Sequence, residues 1–123
     1  MFISFDYDHD NDLKNLLVGQ ARNPDSPFVI ADWSIKEASS GWMEEARRRI
    51  RASDCVAIIC GLHTRSAAGV ATELTIARDE SIPYFLLAGR ASGTNQRPTS
   101  ALTSDKMYDW TWPNLKLLIA GSR

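Results

Sequence analysis

Apolar runs and helical periods alternate along this chain. Residues 1–5, MFISF, form a short run without polar alternation, which predicts a strand buried on both faces. Over residues 10–21, Leu13, Leu16, Leu17 and Gln20 recur at helical spacing, with Asp10 or Asn11 as the expected N-cap. The turn formers Asn23, Pro24, Asp25, Ser26 and Pro27 then break the chain before FVIADW at 28–33, the second predicted strand. Beyond the polar stretch 34–41, Trp42, Met43, Ala46 and Ile50 make one helical stripe. Glu44 and Glu45 fall in its first turn and Arg47, Arg48, Arg49 and Arg51 toward its end, the charge order a helix dipole favours.

The run VAIICG at 56–61 carries no charge and predicts a central strand. Helical spacing returns over 66–80, where Val70, Leu74 and Ala77 align and Ser66 is the expected cap. IPYFLLAG at 82–89 predicts a fourth strand with Pro83 at its start, where a missing N–H does least harm. Residues 90–106 have no apolar periodicity and read as a long loop; a short strand at 106–110 and a last helix from Pro113 follow. Strands alternating with helices imply right-handed crossovers and a parallel sheet covered on both faces. The expected fold class is therefore α/β, a flavodoxin-like doubly wound sheet of four to five parallel strands, in one domain over residues 1–123. Ligands in such a fold bind outside the carboxyl ends of the strands, where strand order reverses.

Composition removes several functions. The 123 residues are 44% hydrophobic and 24% charged with a net charge of -1, which gives no field favouring nucleic acid or an anionic membrane. No apolar run approaches the ~20 residues that span a bilayer, and no basic segment precedes the first run. The expectation is a cytoplasmic protein with neither nucleic acid nor membrane as partner. Cys55 and Cys60, five apart in one strand, point to opposite faces and are expected to stay reduced.

The acidic cluster after the first strand, Asp6, Asp8, His9, Asp10 and Asp12, invites a metal reading. Asp6 and Asp8 would suit the magnesium pocket of a phosphoacceptor domain, but that pocket needs a carboxylate at the carboxyl end of the third strand. That strand ends Ile59, Cys60, Gly61, with Asp54 at the wrong end. A turn and a helix cap account for Asp8, Asp10 and Asp12. His9 and His63 match no zinc spacing and are expected as exposed loop residues, so no metal is expected. The sequence contains no GxSxG, P-loop or GxGxxG motif, and RRRIR at 47–51 reads first as a solvated helix face, with phosphate contact as the alternative. Glu73 stands apart. At 100° per residue it falls beside Val70, Leu74 and Ala77, on the border of the buried stripe, partly desolvated, with small neighbours Gly69, Ala71 and Thr72 leaving room for a ligand. A surface salt bridge is the alternative.

In their order, FISFDYD, FVIADWSIKEASSGW, CVAIICGLHTRS, ATELTIARDESIPYFLL and MYDW resemble a TIR-like domain, more narrowly the TIR-like proteins of bacterial Thoeris antiphage defence systems. The resemblance implies a flavodoxin-like fold and, in active members, cleavage of NAD to nicotinamide and ADP-ribose or a cyclic ADP-ribose isomer, with NAD as substrate and no cofactor. It implies a catalytic glutamate on the helix after the third strand, which matches Glu73. It also implies substrate-binding roles for Phe5 and Asp6 after the first strand and for Ser34 and Trp42 around the loop after the second. That family often carries a tryptophan four residues before its glutamate, where this chain has Gly69. Two alternatives stay open: a non-catalytic TIR-like interaction module, assembling through helix faces or the loop after strand 2, and a nucleoside 2-deoxyribosyltransferase-like enzyme. Expected partners are NAD or a related nucleotide, with self-association or a phage-derived trigger. The 90–106 loop is expected to exclude water from the site, and Trp110 and Trp112 either stack on a base or pack the last helix.

Overall fold

Five short strands carry the apolar runs into one parallel sheet. The computed structural model describes residues 1–35 and 40–121. Strands β1 (Phe2–Ser4), β2 (Asp32–Trp33), β3 (Val56–Cys60), β4 (Tyr84–Ala88) and β5 (Met107–Asp109) pair in the order β2-β1-β3-β4-β5. Helices α1 (Asn11–Ala21), α2 (Trp42–Arg51), α3 (Ala68–Asp79) and α4 (Trp112–Ile119) connect and cover them. This is the flavodoxin-like doubly wound order, with its reversal between β1 and β3.

Strand alternation sorts the core into two layers. Ile3, Ala57, Ile59, Phe85 and Leu87 meet Leu13 and Leu17 of α1 and Leu115 and Leu118 of α4 on one face. Phe2, Val56, Ile58 and Leu86 meet Ala46 and Ile50 of α2 and Val70, Leu74 and Ala77 of α3 on the other. Both faces are apolar, which is why β3 reads as an unbroken run and takes the central place. Cys55 and Cys60 lie in opposite layers, both buried and unbridged. Burial pushes the Cys60 thiol up to about 12, which removes it as a nucleophile.

Three elements differ from their sequence-based bounds. The sequence pattern predicts a strand over residues 28–33, yet only Asp32 and Trp33 pair, opposite Phe2 and Ile3. The chain before them is tied instead by single bonds, the Met1 amino group to the Val29 carbonyl at 2.9 Å and the Ala31 N–H to the Met1 carbonyl at 2.8 Å. Ser66 does not cap α3. It closes a short 3-10 turn, Thr64–Ser66, that forms because Thr64 Oγ1 accepts the Gly61 N–H at 2.7 Å, and Ala67 stands at the N-cap. The last helix begins at Trp112 rather than Pro113, with Thr111 Oγ1 accepting the Asn114 N–H.

The basic face of α2 is occupied within the chain. Arg47 and Arg51 reach Glu80, Arg48 and Arg49 reach Glu45, and Arg49 also reaches Asp32. Arg51, then Arg47, hold the Glu80 carboxyl down at about 2. Trp110 and Trp112 pack: the Trp110 indole N–H donates to Gln20, and Trp112 lies against Phe28 with ring centroids 6.5 Å apart. Gly61, at the end of β3, is required by close approach. A Cβ there would stand 2.3 Å from Oδ2 of the buried Asp10. Gly61→Ala is expected to lower stability by about 2 kcal/mol, read as a shifted urea midpoint at unchanged m-value.

Candidate functional site

Glu73 sits at the reversal of strand order, one turn into α3. Its expected place was the border of the buried stripe; it is in fact 1% exposed. Two serines explain how the fold tolerates a carboxyl there. Ser4 shares the parity of Phe2, so it faces α3, and its hydroxyl donates to Glu73 Oε1 at 2.8 Å. Ser34, just past β2, donates to the same oxygen at 2.5 Å and accepts the Phe5 N–H at 3.1 Å. Ser34 is fixed in turn by its own N–H on the Ile3 carbonyl at 2.9 Å. Buried polar groups persist when they are hydrogen-bonded, and hydroxyls from two strand ends hold this side chain in one orientation. Sequence reasoning missed Ser4. The signal was present in FISF, where one hydroxyl in an otherwise apolar buried strand must find a partner.

A cavity of about 380 Å³ opens beside Glu73, within the range of small-molecule sites. Phe5, Asp6, Ser34, Trp42 and Glu73, separated by up to 68 residues in sequence, all line it. Trp42 is steadied by its indole N–H on the Ile35 carbonyl. The start of α3, with Ala68 and Gly69, and its N-cap Ala67 also line the cavity. Tyr7, Asp8 and His9 line it too; Asp8 and His9 belong to the acidic cluster after the first strand, whereas nothing in the sequence pattern marks Tyr7. Asp6 turns inward to its own loop: Oδ1 accepts the Asp8 N–H at 3.2 Å and Oδ2 lies 2.7 Å from His9 Nδ1. His9 and His63 are exposed as expected, but they stack on each other with centroids 4.1 Å apart.

Two expectations about the surroundings are corrected. None of residues 90–106 lines the cavity, so this loop does not screen it among the described residues. Its later part is tied to α3, where Ser100 Oγ donates to the Ala71 carbonyl at 2.6 Å, and its first residue reaches α1, where the Arg90 guanidinium binds Asp12 at 2.6 and 2.8 Å, Asp10 at 3.0 Å and the His9 carbonyl at 3.0 Å. Asp10 holds the N-cap position but makes no cap bond, because its carboxylate points inward to Arg90 and is 1% exposed. Burial pushes the Asp10 carboxyl up while Arg90 pulls it back; the exposed Asp12 carboxyl is held low by Arg90. Residues 36–39 of the loop after strand 2, through which an interaction module would assemble, lie outside the described residues. Among the described residues no three His, Cys, Asp or Glu side chains converge as a metal site.

Fold and site together define a doubly wound α/β domain with a cavity at the strand-order reversal, lined by two buried carboxyl groups, Glu73 held by two serines and Asp6 held by its own loop. A match over residues 2–89 to the family described as Thoeris protein ThsB, TIR-like domain, covers β1 through β4 and every residue of the cavity, and the chain belongs to that family. It is a TIR-type domain of an antiphage defence system. No curated protein matches the chain. Among the described residues no helix is long and apolar enough to cross a membrane.

Proposed function

We propose that this domain cleaves NAD at the bond between nicotinamide and ribose, releasing nicotinamide and leaving ADP-ribose or a cyclic isomer as a defence signal. One observation carries the proposal: a buried carboxyl, aimed by two serine hydroxyls, at the wall of a cavity that also presents aromatic side chains. In NAD the nicotinamide leaves as a neutral molecule from a cationic pyridinium. No general acid is required, unlike an ordinary glycoside, whose leaving oxygen must be protonated by a second carboxyl. One carboxylate suffices. Glu73 binds the ribose and stabilises the oxocarbenium-like charge that grows as the bond breaks, in surroundings where such stabilisation is stronger than in water. Water as acceptor gives ADP-ribose; a group of the nucleotide itself gives a cyclic product.

Gly69 stands where the resembling family often has tryptophan, which favours the interaction-module alternative. Against it, Trp42 and Tyr7 line the same cavity and supply flat faces for a base from other elements. The test is incubation of the purified chain with NAD, with nicotinamide followed by chromatography. A chain that neither releases nicotinamide nor binds NAD at millimolar concentration sinks the proposal in favour of the interaction module. Ser34→Ala is expected to lower the rate about tenfold, since one hydroxyl that aims Glu73 is lost while Ser4 remains. An unchanged rate would show that Ser34 only packs.

A further inference from the structure

We infer that Asp6 and His9 form a general-base pair at the cavity rim, in which His9 takes the proton of the hydroxyl that captures the ribosyl cation. The inference rests on the NAD-cleavage reading above and assigns a proton acceptor to its second half, the capture step. His9 is half exposed, yet its ring is held more firmly than a surface histidine needs to be. Asp6, 7% exposed, meets Nδ1 at 2.7 Å in one direction, and His63 covers a ring face at 4.1 Å in another. Arg90 fixes the backbone by donating to the His9 carbonyl at 3.0 Å.

The partner of Nδ1 settles the tautomer. A carboxylate only accepts, so Nδ1 carries the hydrogen and the neutral ring presents Nε2 as an acceptor. Nε2 has no hydrogen-bond partner among the described residues, and His9 lines the cavity that Glu73 also lines. A carboxylate orienting one ring nitrogen while the other faces the reacting proton is the division of labour of a hydrolase dyad. Asp6 is thereby a positioning residue, because both of its oxygens are engaged within its own loop.

The step balances. As the glycosidic bond breaks, its electron pair stays on the nicotinamide nitrogen, which leaves neutral. The oxygen of water, or of a hydroxyl of the same nucleotide, then bonds to the anomeric carbon, and its proton passes to His9 Nε2. The imidazolium, beside the Asp6 carboxylate, returns that proton to solvent.

The test separates cleavage from capture. The purified chain is given NAD together with isotopically labelled nicotinamide. Label entering NAD measures cleavage and return, and ADP-ribose or its cyclic isomers measure capture. For His9→Gln, exchange should persist while product formation falls, so that their ratio rises at least about tenfold, with the melting temperature unchanged. An unchanged ratio overturns the inference and leaves the NAD reading standing. A wild-type chain that neither exchanges label nor forms product overturns that reading, and the inference with it. Nitrogen-15 spectra of the resting protein give an arm independent of turnover: Nδ1–H on His9 is expected, shifting toward a mixed tautomer in Asp6→Asn. A hydrogen on Nε2 in the wild type overturns the inference whatever the turnover.

Discussion

Glutamine in place of Glu73 is expected to stop nicotinamide release while leaving the fold intact. The amide oxygen of glutamine can accept the Ser4 and Ser34 hydroxyls as the carboxylate does, so the side chain keeps its place in the cavity wall. What disappears is the negative charge facing the developing cation. A loss of about a thousandfold in rate, or roughly 4 kcal/mol of transition-state stabilisation, is expected for a preorganised charge in a buried site. Stability should move the other way or not at all, because a neutral amide is easier to bury than a carboxylate. Loss of rate with an unchanged or raised melting temperature marks a group kept for chemistry at some expense to the fold. Release within about threefold of wild type would remove Glu73 from the mechanism, and a melting temperature several degrees lower would make it a structural buried group.

How far Glu73 was legible in the sequence differs from how far β3 was. VAIIC has no charge over five residues, and that alone fixes a strand covered on both faces. The helical wheel and its small neighbours mark Glu73 at the edge of a stripe, with a surface salt bridge as the alternative, and the family likeness gives it a catalytic role. Its full burial depends on Ser4, 69 residues earlier, and Ser34, 39 residues earlier. No local period contains such pairs. The five residues expected around a nucleotide do line one cavity, but Asp6 spends its oxygens on its own loop, which a list of types and positions does not reveal. The same limit explains Asp10. Its residue type and place before a helix spell a cap, and a partner 80 residues away turns the carboxylate inward. The length of β2 escapes the sequence for a related reason: FVIADW has the composition of a strand, but strand pairing depends on a neighbour distant in sequence, and only Asp32 and Trp33 find one on β1.

Removing Arg90 is expected to destabilise the protein by about 3 kcal/mol near neutral pH, through Asp10. Taking one partner from a buried ion pair leaves a charge without compensation, which costs about 3–5 kcal/mol; Arg90 is 29% exposed, so water can enter and the lower figure applies. The pH dependence has a definite sign. Burial raises the Asp10 carboxyl above its ordinary 3.8, so the folded state holds that proton more tightly than the unfolded chain. Asp10 therefore favours folding most below 3.8, and that contribution is lost as pH rises through its raised value. Without Arg90 the folded value climbs further, so the penalty deepens toward neutrality. Asp12 acts in the same sense: Arg90 lowers its carboxyl, a stabilisation present above 3.8 that falls away in acid, so in acid there is less for Arg90→Ala to lose. The deficit of Arg90→Ala should accordingly be largest near pH 7 and shrink toward about pH 4, measured by urea unfolding at both. Adding Asp10→Asn should recover most of the loss at pH 7, because the buried group is then neutral. Equal deficits at the two pH values, or no recovery in the double variant, would mean that Arg90 acts by packing. Arg90→Ala should also raise the ratio of nicotinamide exchange to product formation, and the recovered stability of the double variant should not restore it, since the His9 carbonyl still lacks the guanidinium that fixes its loop.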